Sequence, residues 1–344
     1  MKNDMFIFDQ VIHMFDNSPE NIVDATTAKA VLGTAIAYTT PLTPTQDAST
    51  WWRAIPVDEA YRIIFEESDT DMAIAQTVPM MGGSWKHGFA PAHRQYALAK
   101  AYPDRVLFCG GVDPIAQGID GALYELERQI VEWGARSVKF YQSQANNCHW
   151  RADDRKVAYP MYELCMKLGV NSVQFHKGHP FGRQPMEHLM PNDLQGAAGD
   201  FPDMIFVNHH LAEPYFAETL SISARFPNVW VALSGFINLM PFRPIETYHF
   251  LGKLLMYVGA DRLMYGSEAF AYRRVQGCID MYFDLKMPER LQDDYGYPPI
   301  TDDIRRKILG ENTARLMGVD IESKKLELYG TGATAPAAVA SPVA

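Results

Sequence analysis

Residues 204–233 read MIFVNHHLAEPYFAETLSISARFPNVWVAL and contain the pattern that decides the fold. Two short apolar runs, Met204–His209 and Val229–Leu233, have the length and the Val, Ile and Phe content of strands. Between them, Tyr215–Arg225 has a helical pattern. Because strands that alternate with helices indicate βα units, this segment predicts two neighbouring parallel strands.

The same alternation recurs along the chain. The strand candidates are Met5–Phe8, Met72–Val78, Val106–Val112, Ser137–Tyr141, Ser172–His176, Met204–His209, Val229–Leu233 and Leu263–Tyr265. Eight βα units in 344 residues fit a closed (β/α)₈ TIM barrel of the α/β class better than a doubly wound sheet. No GxGxxG motif follows the first strand, which disfavours a dinucleotide-binding fold.

The chain is predicted to form one barrel domain over residues 1–325. An Ala/Pro-rich tail over residues 326–344 is expected to be disordered. Residues 14–55 and 269–300 are interpreted as long irregular insertions, which on a barrel usually build the substrate pocket or a subunit contact. A homodimer or higher homo-oligomer is compatible with such insertions.

Composition excludes several classes of protein. Hydrophobic residues make up 47% and charged residues 21%, as in a globular enzyme. The net charge of -10, without a concentrated basic face, argues against a nucleic-acid partner. There is no apolar run of about 20 residues for a membrane span and no secretory signal. The cysteines are far apart and suit a reducing cytoplasm; they are Cys109, Cys148, Cys165 and Cys278.

Polar side chains follow several of the predicted strands. His13 follows the first, His176 ends the fifth, His210 follows the sixth, and Glu268 follows the eighth. In a barrel the carboxyl ends of the strands converge on one face, so these four side chains are expected to share a pocket. Imidazole and carboxylate groups are suitable ligands for Zn²⁺ or Mn²⁺.

At these strand ends the sequence resembles the amidohydrolase superfamily, and more narrowly its amidohydrolase-related branch. That branch includes aminocarboxymuconate-semialdehyde decarboxylase, the dihydroxybenzoate (resorcylate) decarboxylases and several ring-cleavage hydrolases. The resemblance extends from Phe6 to Met317. Its landmarks are the strand-end residues above together with Gly134-Ala135, Phe175-His176, His210 to Pro214, Phe226 to Val229, Leu233 to Gly235, Gly266 to Glu268, and Lys307 to Leu316.

The resemblance implies a divalent metal cofactor, Zn or Mn, and a ligand set. His13 matches the second residue of the first-strand [HE]xH motif, and His176 matches the fifth-strand ligand. Glu268 stands where the family usually has Asp on the eighth strand. The first position of the motif is Val11, which cannot bind metal, so Asp9 or Gln10 is considered as a substitute ligand.

The resemblance also implies catalytic residues. His210 matches the sixth-strand histidine, which in the decarboxylases lies near the scissile carboxyl group. Glu213 matches the Glu of the HxGE pattern, with Ala212 in place of Gly, and could orient the His210 ring. A slip of one residue in the strand would place His209 in the site instead.

Three residues are predicted to contact the substrate: Lys139, Tyr141 and Arg273. Lys139 could instead be packed beneath the pocket, or be carboxylated as in other branches of the superfamily. An aromatic and arginine group could also line a pocket for an aromatic acid, although such a group is equally typical of loop anchoring. Its members are Trp51, Trp52, Arg53, Arg273 and Arg274.

The favoured hypothesis is a metal-dependent carboxy-lyase that decarboxylates a small aromatic or unsaturated carboxylic acid. In it, Glu268 or His210 delivers a proton to the carbon that loses CO₂. A metal-dependent hydrolase of a lactone, amide or C–C bond is the alternative within the family. Because Val11 replaces a usual ligand, a metal-free lyase or hydratase and a ligand-binding relative are further alternatives.

Overall fold

The computed structural model describes residues 1–40, 47–81, 83–144, 148–235 and 240–330. Eight parallel strands lie side by side in chain order. They are β1 Phe8–Ile12, β2 Met72–Gln76, β3 Val106–Gly110, β4 Ser137–Phe140, β5 Ser172–Phe175, β6 Ile205–His209, β7 Val229–Ala232 and β8 Leu263–Met264. The predicted α/β class and barrel architecture are confirmed.

Hydrogen bonds between the last and first strands close the barrel. The Gln10 amide donates to the Tyr265 carbonyl at 3.1 Å, and the Glu268 amide donates to the Val11 carbonyl at 3.1 Å. A further parallel bridge joins Ile12 to Ala269. Because a closed sheet has no free edges, the side chains at one end of all eight strands face a common space.

Helices surround the barrel. They are α1 Ala25–Thr39, α2 Val57–Tyr61, α3 Ala92–Ala101, α4 Pro114–Gln117, α5 Ile119–Val131, α6 Tyr159–Lys167, α7 Leu194–Asp200, α8 Phe216–Arg225, α9 Pro244–Tyr257, α10 Val275–Asp284, α11 Glu289–Tyr295, α12 Asp302–Arg306, α13 Asn312–Met317 and α14 Ile321–Tyr329. None of these described helices combines the length and apolar content needed to cross a bilayer.

The first strand differs from its prediction. The apolar run Met5–Phe8 is the predicted strand, whereas β1 begins at Phe8 and continues through Asp9 and Gln10. The polar residues interrupt the apolar pattern, but the barrel pairs them internally: the Gln10 side chain donates to Gln174 on β5 at 2.7 Å. Tertiary pairing therefore overrides the local hydrophobic signal.

The two insertions contain helices, although their sequences predict irregular structure throughout. Residues 14–55 contain the fifteen-residue helix α1, whose Asp24 caps the first turn by accepting from the amides of Thr26 and Thr27. Residues 269–300 contain α10 and α11. The α1 sequence, ATTAKAVLGTAIAYT, is rich in alanine, which is the strongest helix former.

The boundary predicted at residue 325 falls inside a helix. α14 extends to Tyr329, with Asp320 as its N-cap and with Lys324 and Glu327 paired at 2.7 Å on its surface. The Tyr329 hydroxyl also contacts Asp71. The first residues of the predicted tail are thus helical and attached to the domain, and residues 331–344 lie outside the described residues.

A polar layer fills the middle of the barrel below the strand ends. The side-chain oxygen of Gln174 accepts hydrogen bonds from Gln10 at 2.7 Å, Gln76 at 2.8 Å and Nε2 of His209 at 2.7 Å. The Gln174 amide nitrogen donates to the Ser137 hydroxyl at 3.1 Å. These side chains are fully buried, so their mutual bonds offset much of the cost of desolvating them.

Candidate active site

A pocket of about 410 Å³ opens at the carboxyl ends of the strands. Its walls are mostly aromatic, and they combine strand-end residues with residues from both insertions. The residues that line it include Phe15, Tyr38, Trp51, Phe89, Tyr141, Phe181 and Tyr272, together with His13, His176, His179, His210, Glu213, Arg243 and Glu268. This is the volume and character of a site for a small, largely apolar ligand with a few polar anchors.

His13 and Glu268 form a close pair in the pocket. Nδ1 of His13 lies 2.8 Å from the Gln76 carbonyl, which can only accept, so Nδ1 carries a proton and donates it. Nε2 of His13 lies 3.3 Å from a carboxylate oxygen of Glu268. In neutral His13 this nitrogen presents a lone pair toward another acceptor, an arrangement that needs a shared proton or a cation.

The charge of Glu268 is well defined. Burial alone would raise the pKa of this carboxyl group, but the neighbouring His210, His13 and Lys139 hold the pKa well below its usual range. These surroundings favour the ionised form of Glu268, one of the carboxylates that line the pocket.

The orientation of the His210 ring is fixed by Ser234, which lies just after β7. Nδ1 of His210 donates to the Ser234 carbonyl at 3.0 Å, and this nitrogen is 3.8 Å from the other Glu268 oxygen. Nε2 has no hydrogen-bond partner within the described structure. Burial lowers the pKa of His210, although Glu268 opposes that effect. The imidazolium form of His210 is consequently a stronger acid than free histidine.

The turn that presents His210 is strained. His210, Leu211 and Ala212 have φ values of 59°, 54° and 51°, and Glu268 has 59°. Residues other than glycine rarely adopt this left-handed backbone region. Each one lowers the stability of the fold by of order 1–3 kcal/mol. Two of these strained residues, His210 and Glu268, line the pocket.

Gly178 holds this turn against the end of β5. The residue has a φ of 66°, and a Cβ added there would overlap the main chain of Ala212 and Glu213. The next amide, His179 N–H, donates to the Glu213 carbonyl at 2.8 Å. Only glycine allows this close approach, which fixes the loops after β5 and β6 relative to each other.

His176 and Tyr141 pack as a stacked pair. Their ring centroids are 4.4 Å apart and nearly parallel, and the His176 ring lies 4.9 Å from that of His210. Nε2 of His176 is 3.3 Å from the His179 carbonyl, which leaves Nδ1 without a partner in the described structure. Burial lowers the pKa of His176 and raises that of Tyr141, so both rings remain uncharged.

Asp9 does not line the pocket, although its carboxylate is bonded to Ser267, the neighbour of Glu268. It lies four residues before His13, which is about 13 Å of extended chain. One carboxylate oxygen accepts from the amides of Val11 at 3.0 Å and Ser267 at 2.9 Å, and burial raises the pKa of Asp9 to about 7. Asp9 thus supports the closure of the barrel and is absent from the pocket wall.

The structure places His209, His210 and Glu213 differently relative to the pocket. His210, and not His209, lines the pocket, because His209 points into the polar layer below. Glu213 lines the pocket and burial raises its pKa, but the His210 ring is oriented by the Ser234 carbonyl instead of by the Glu213 carboxylate. The predicted orienting role of Glu213 is therefore replaced by a backbone contact.

The predicted substrate-binding residues separate in the structure. Tyr141 lines the pocket. Lys139 lies beneath it, fully buried, with Nζ 5.7 Å from the Tyr141 ring centroid, and burial lowers its pKa to about 7. Arg273 is absent from the pocket wall and pairs with Glu59 at 2.8 Å, which also holds Arg53. Of the predicted aromatic and arginine group, Trp51 lines the pocket.

Two basic residues of the pocket, His179 and Arg243, were not predicted from the sequence, nor were several of its aromatic walls. His179 follows β5 with a φ of 41°, and burial lowers its pKa to about 3, so the ring is neutral. Arg243 precedes α9 and is the arginine of the pocket wall. Both follow strands on the functional face of the barrel, and that position was the available signal for them.

The donor set of the pocket fits a divalent cation in part. Within the described residues, no three side chains of His, Cys, Asp or Glu already surround a metal position. However, Nε2 of His13 and the second oxygen of Glu268 are buried without hydrogen-bond partners. An imidazole nitrogen and a carboxylate oxygen are ligands that Zn²⁺ and Mn²⁺ accept.

Several solved structures share this fold. An uncharacterised TIM-barrel protein from Bordetella bronchiseptica superposes with a TM-score of 0.66 at 19% identity, covering 91% of this chain and 99% of that one. A 2,6-dihydroxybenzoate decarboxylase in complex with 2,6-dihydroxybenzoate gives 0.61 at 14%, covering 92% and 100%. A mutant of a 5-carboxyvanillate decarboxylase from Novosphingobium aromaticivorans, with bound manganese, gives 0.59 at 15%, covering 92% and 98%.

These identities are low, so the structural likeness establishes the fold and no specific reaction. No curated protein matches the sequence. The sequence model of the amidohydrolases matches residues 40–319, which is most of the chain and includes the ends of β5, β6 and β8. This agrees with the resemblance seen in the sequence, and the chain belongs to the amidohydrolase family.

Proposed function

We propose that this protein is a non-oxidative decarboxylase of a small aromatic carboxylic acid, dependent on a divalent metal. The observation that carries the proposal is the His13–Glu268 pair, 3.3 Å apart, at the polar end of an aromatic-walled pocket of about 410 Å³. Two proteins that share the fold are decarboxylases of hydroxylated benzoates, and one of them contains manganese.

His13 and Glu268 would hold the metal, and His176 is the predicted third ligand. When bound, such a cation supplies a positive charge that binds the substrate carboxylate and a neighbouring oxygen. The protein's own contribution is to fix the two ligands. The Gln76 carbonyl sets the tautomer of His13, and the neighbouring imidazoles keep Glu268 ionised.

His210 would carry the proton. Its Nε2 has no competing partner within the described structure, and its Nδ1 is held by the Ser234 carbonyl. The imidazolium gives its Nε2 proton to the ring carbon that bears the carboxylate. The bond to the carboxyl carbon then breaks, its electron pair returns to the ring, CO₂ leaves, and His210 regains a proton from solvent. Glu268, as an ionised carboxylate, is not the donor.

The walls would select an aromatic ring. Phe15 stacks on Phe89 with centroids 4.5 Å apart, and Trp51 packs beside Phe15 at 5.6 Å. Such surfaces exclude water and favour a flat apolar body. Arg243 is the arginine of the pocket wall and could bind a second acidic group of the substrate.

Incubation of Mn- or Zn-loaded protein with a panel of hydroxylated and methoxylated benzoates tests the proposal. The expected result is CO₂ release, and in D₂O one deuterium at the carbon that carried the carboxylate. Absence of CO₂ from every member of the panel, with metal bound, would contradict it.

Hydrolysis is the second candidate, because the ionised Glu268 could equally act as a general base toward a lactone or amide. The same panel extended with aromatic lactones and amides separates the two reactions. Consumption of water without CO₂ supports hydrolysis. Turnover that is unaffected by chelators and by loss of His13 supports the metal-free lyase or hydratase.

A further inference from the structure

His179, in the loop after β5, lines the pocket but has no part in the reaction proposed above. Its φ of 41° lies in the left-handed region, where histidine is found more often than most residues but still uncommonly. Backbone strain of this kind persists only where the surrounding structure imposes it, and it is concentrated at functional sites. The strained position makes the side chain of His179 a candidate for a role in ligand binding.

The main chain of His179 joins the loops after β5 and β6. Its amide donates to the Glu213 carbonyl at 2.8 Å, and its carbonyl lies 3.3 Å from Nε2 of His176. Because a carbonyl only accepts, it fixes the proton of His176 on Nε2. Neither contact involves the imidazole of His179, so a change of its side chain should leave both in place.

The imidazole of His179 is half-buried, and its Nε2 is enclosed without a hydrogen-bond partner among the residues that the structure describes. The ring is neutral, since burial lowers its pKa to about 3, and it therefore has one donor and one acceptor nitrogen. An enclosed polar atom without a partner raises the free energy of the fold until a ligand or water satisfies it. A ligand hydroxyl group, which both donates and accepts, matches this ring.

The location of His179 indicates which part of a ligand it meets. At the polar end of the pocket, Glu268 lies 3.3 Å from Nε2 of His13 and 3.8 Å from Nδ1 of His210. The His179 ring comes next, with its centroid 5.5 Å from that of His210. Tyr38 of α1 follows at 5.9 Å and is 42% exposed. His179 therefore lies between His210 and the exposed rim of the pocket.

We propose that His179 is a specificity-determining residue, which hydrogen-bonds a hydroxyl group on a ring carbon of the substrate remote from its carboxylate. The assignment rests on the proposed function, because binding of the carboxylate at the His13 and Glu268 end turns the far side of the ring toward His179. A site built to bind a hydroxyl group discriminates against the analogue that lacks it, since the polar group of the protein is then left unpaired.

Titration calorimetry with Mn-loaded protein tests the proposal, with 3-hydroxybenzoate, 4-hydroxybenzoate and benzoate as the probes. At least one hydroxylated acid is expected to bind the native protein about tenfold or more tighter than benzoate. His179→Phe keeps a flat ring but cannot form the hydrogen bond, so it should reduce this ratio to about threefold or less while benzoate binds as before. His179→Asn, which tolerates the left-handed backbone and remains polar, should recover part of the ratio.

Tyr38→Phe is the matched control, because it removes the hydroxyl group of the neighbouring ring and should leave the ratio unchanged. Circular dichroism checks that each variant is folded. A ratio that persists in His179→Phe, or a native protein that binds the hydroxylated acids no better than benzoate or not at all, would overturn the proposal. Absence of CO₂ release would count against the decarboxylase alone, since calorimetry measures binding without turnover.

Discussion

Nε2 of His13 lies 3.3 Å from a carboxylate oxygen of Glu268, although the two residues follow the first and last strands of the barrel. Closure of the sheet brings them together: the Glu268 amide donates to the Val11 carbonyl in the same junction. Val11, which cannot itself bind metal, thus helps to position Glu268, the proposed ligand, through its backbone carbonyl.

Removal of the charge of Glu268 should remove the metal. Glu268→Gln keeps the size of the side chain but leaves a neutral amide opposite His13, and a neutral amide is a poor partner for Zn²⁺ or Mn²⁺. Elemental analysis should show metal content reduced at least about tenfold, with decarboxylation lost. Glu213→Gln, at another carboxylate of the same pocket, is the control and should retain metal. Equal metal in both variants would refute the ligand assignment.

Replacement of His210 should stop chemistry while metal binding remains. His210→Asn keeps a polar side chain but has no proton to exchange near neutral pH. A loss of about 10²–10⁴ in kcat is expected for a group that transfers a proton in the transition state. Steady-state kinetics with metal analysis on the same sample provides the measurement. A variant that still incorporates deuterium at the native rate would show that another group delivers the proton.

The two arginines near the pocket should behave differently. Arg243→Ala is expected to raise KM about tenfold or more for a substrate with a second acidic group, without a change in melting temperature. Arg273→Ala removes a partner of Glu59 and should lower the melting temperature by a few degrees while KM stays near the native value. A raised KM in Arg273→Ala, with a native KM in Arg243→Ala, would instead support Arg273 as the substrate-binding residue.

Gly178→Ala should disturb both the loop after β5 and the turn after β6. The new Cβ would overlap the main chain of Ala212 and Glu213, and alanine is strained at a φ of 66°. We expect a loss of about 1–3 kcal/mol in the free energy of unfolding together with reduced activity. Denaturant titration measures the first effect. Gly134→Ala has a similar φ with open space around it, so it controls for the backbone strain alone.

Stability should depend on pH through Lys139. Burial lowers its pKa to about 7 in the folded protein, from 10.5 in the unfolded chain. Between these values the unfolded chain binds more protons, so this residue makes the folded state more stable as pH rises from about 7 to 10, by up to about 1.4 kcal/mol per unit. Lys139→Met should abolish that gain, measured as the difference in unfolding free energy between pH 7 and pH 9. An unchanged difference would show that Lys139 is charged in the folded state.

The alternation of apolar runs and helical patterns was enough to predict the barrel, because hydrophobic period and turn chemistry are local properties. The same alternation identified seven of the eight strands near their positions and placed His13, His176, His210 and Glu268 at strand ends. It gave the wrong bounds for β1, where Asp9 and Gln10 interrupt the apolar run, because their partners, Ser267 and Gln174, lie far away in sequence. Local pattern carries no information about such pairings.

The sequence by itself therefore determined the fold class, the family and the face of the barrel that carries the pocket. Tertiary structure alone decided which side chains share that pocket. It placed Arg243 and His179 there, paired Arg273 with Glu59, and placed Asp9 where the first and last strands meet. The physical reason is that a strand end fixes where a residue is, whereas loop packing, strained turns and buried hydrogen bonds fix where its side chain points.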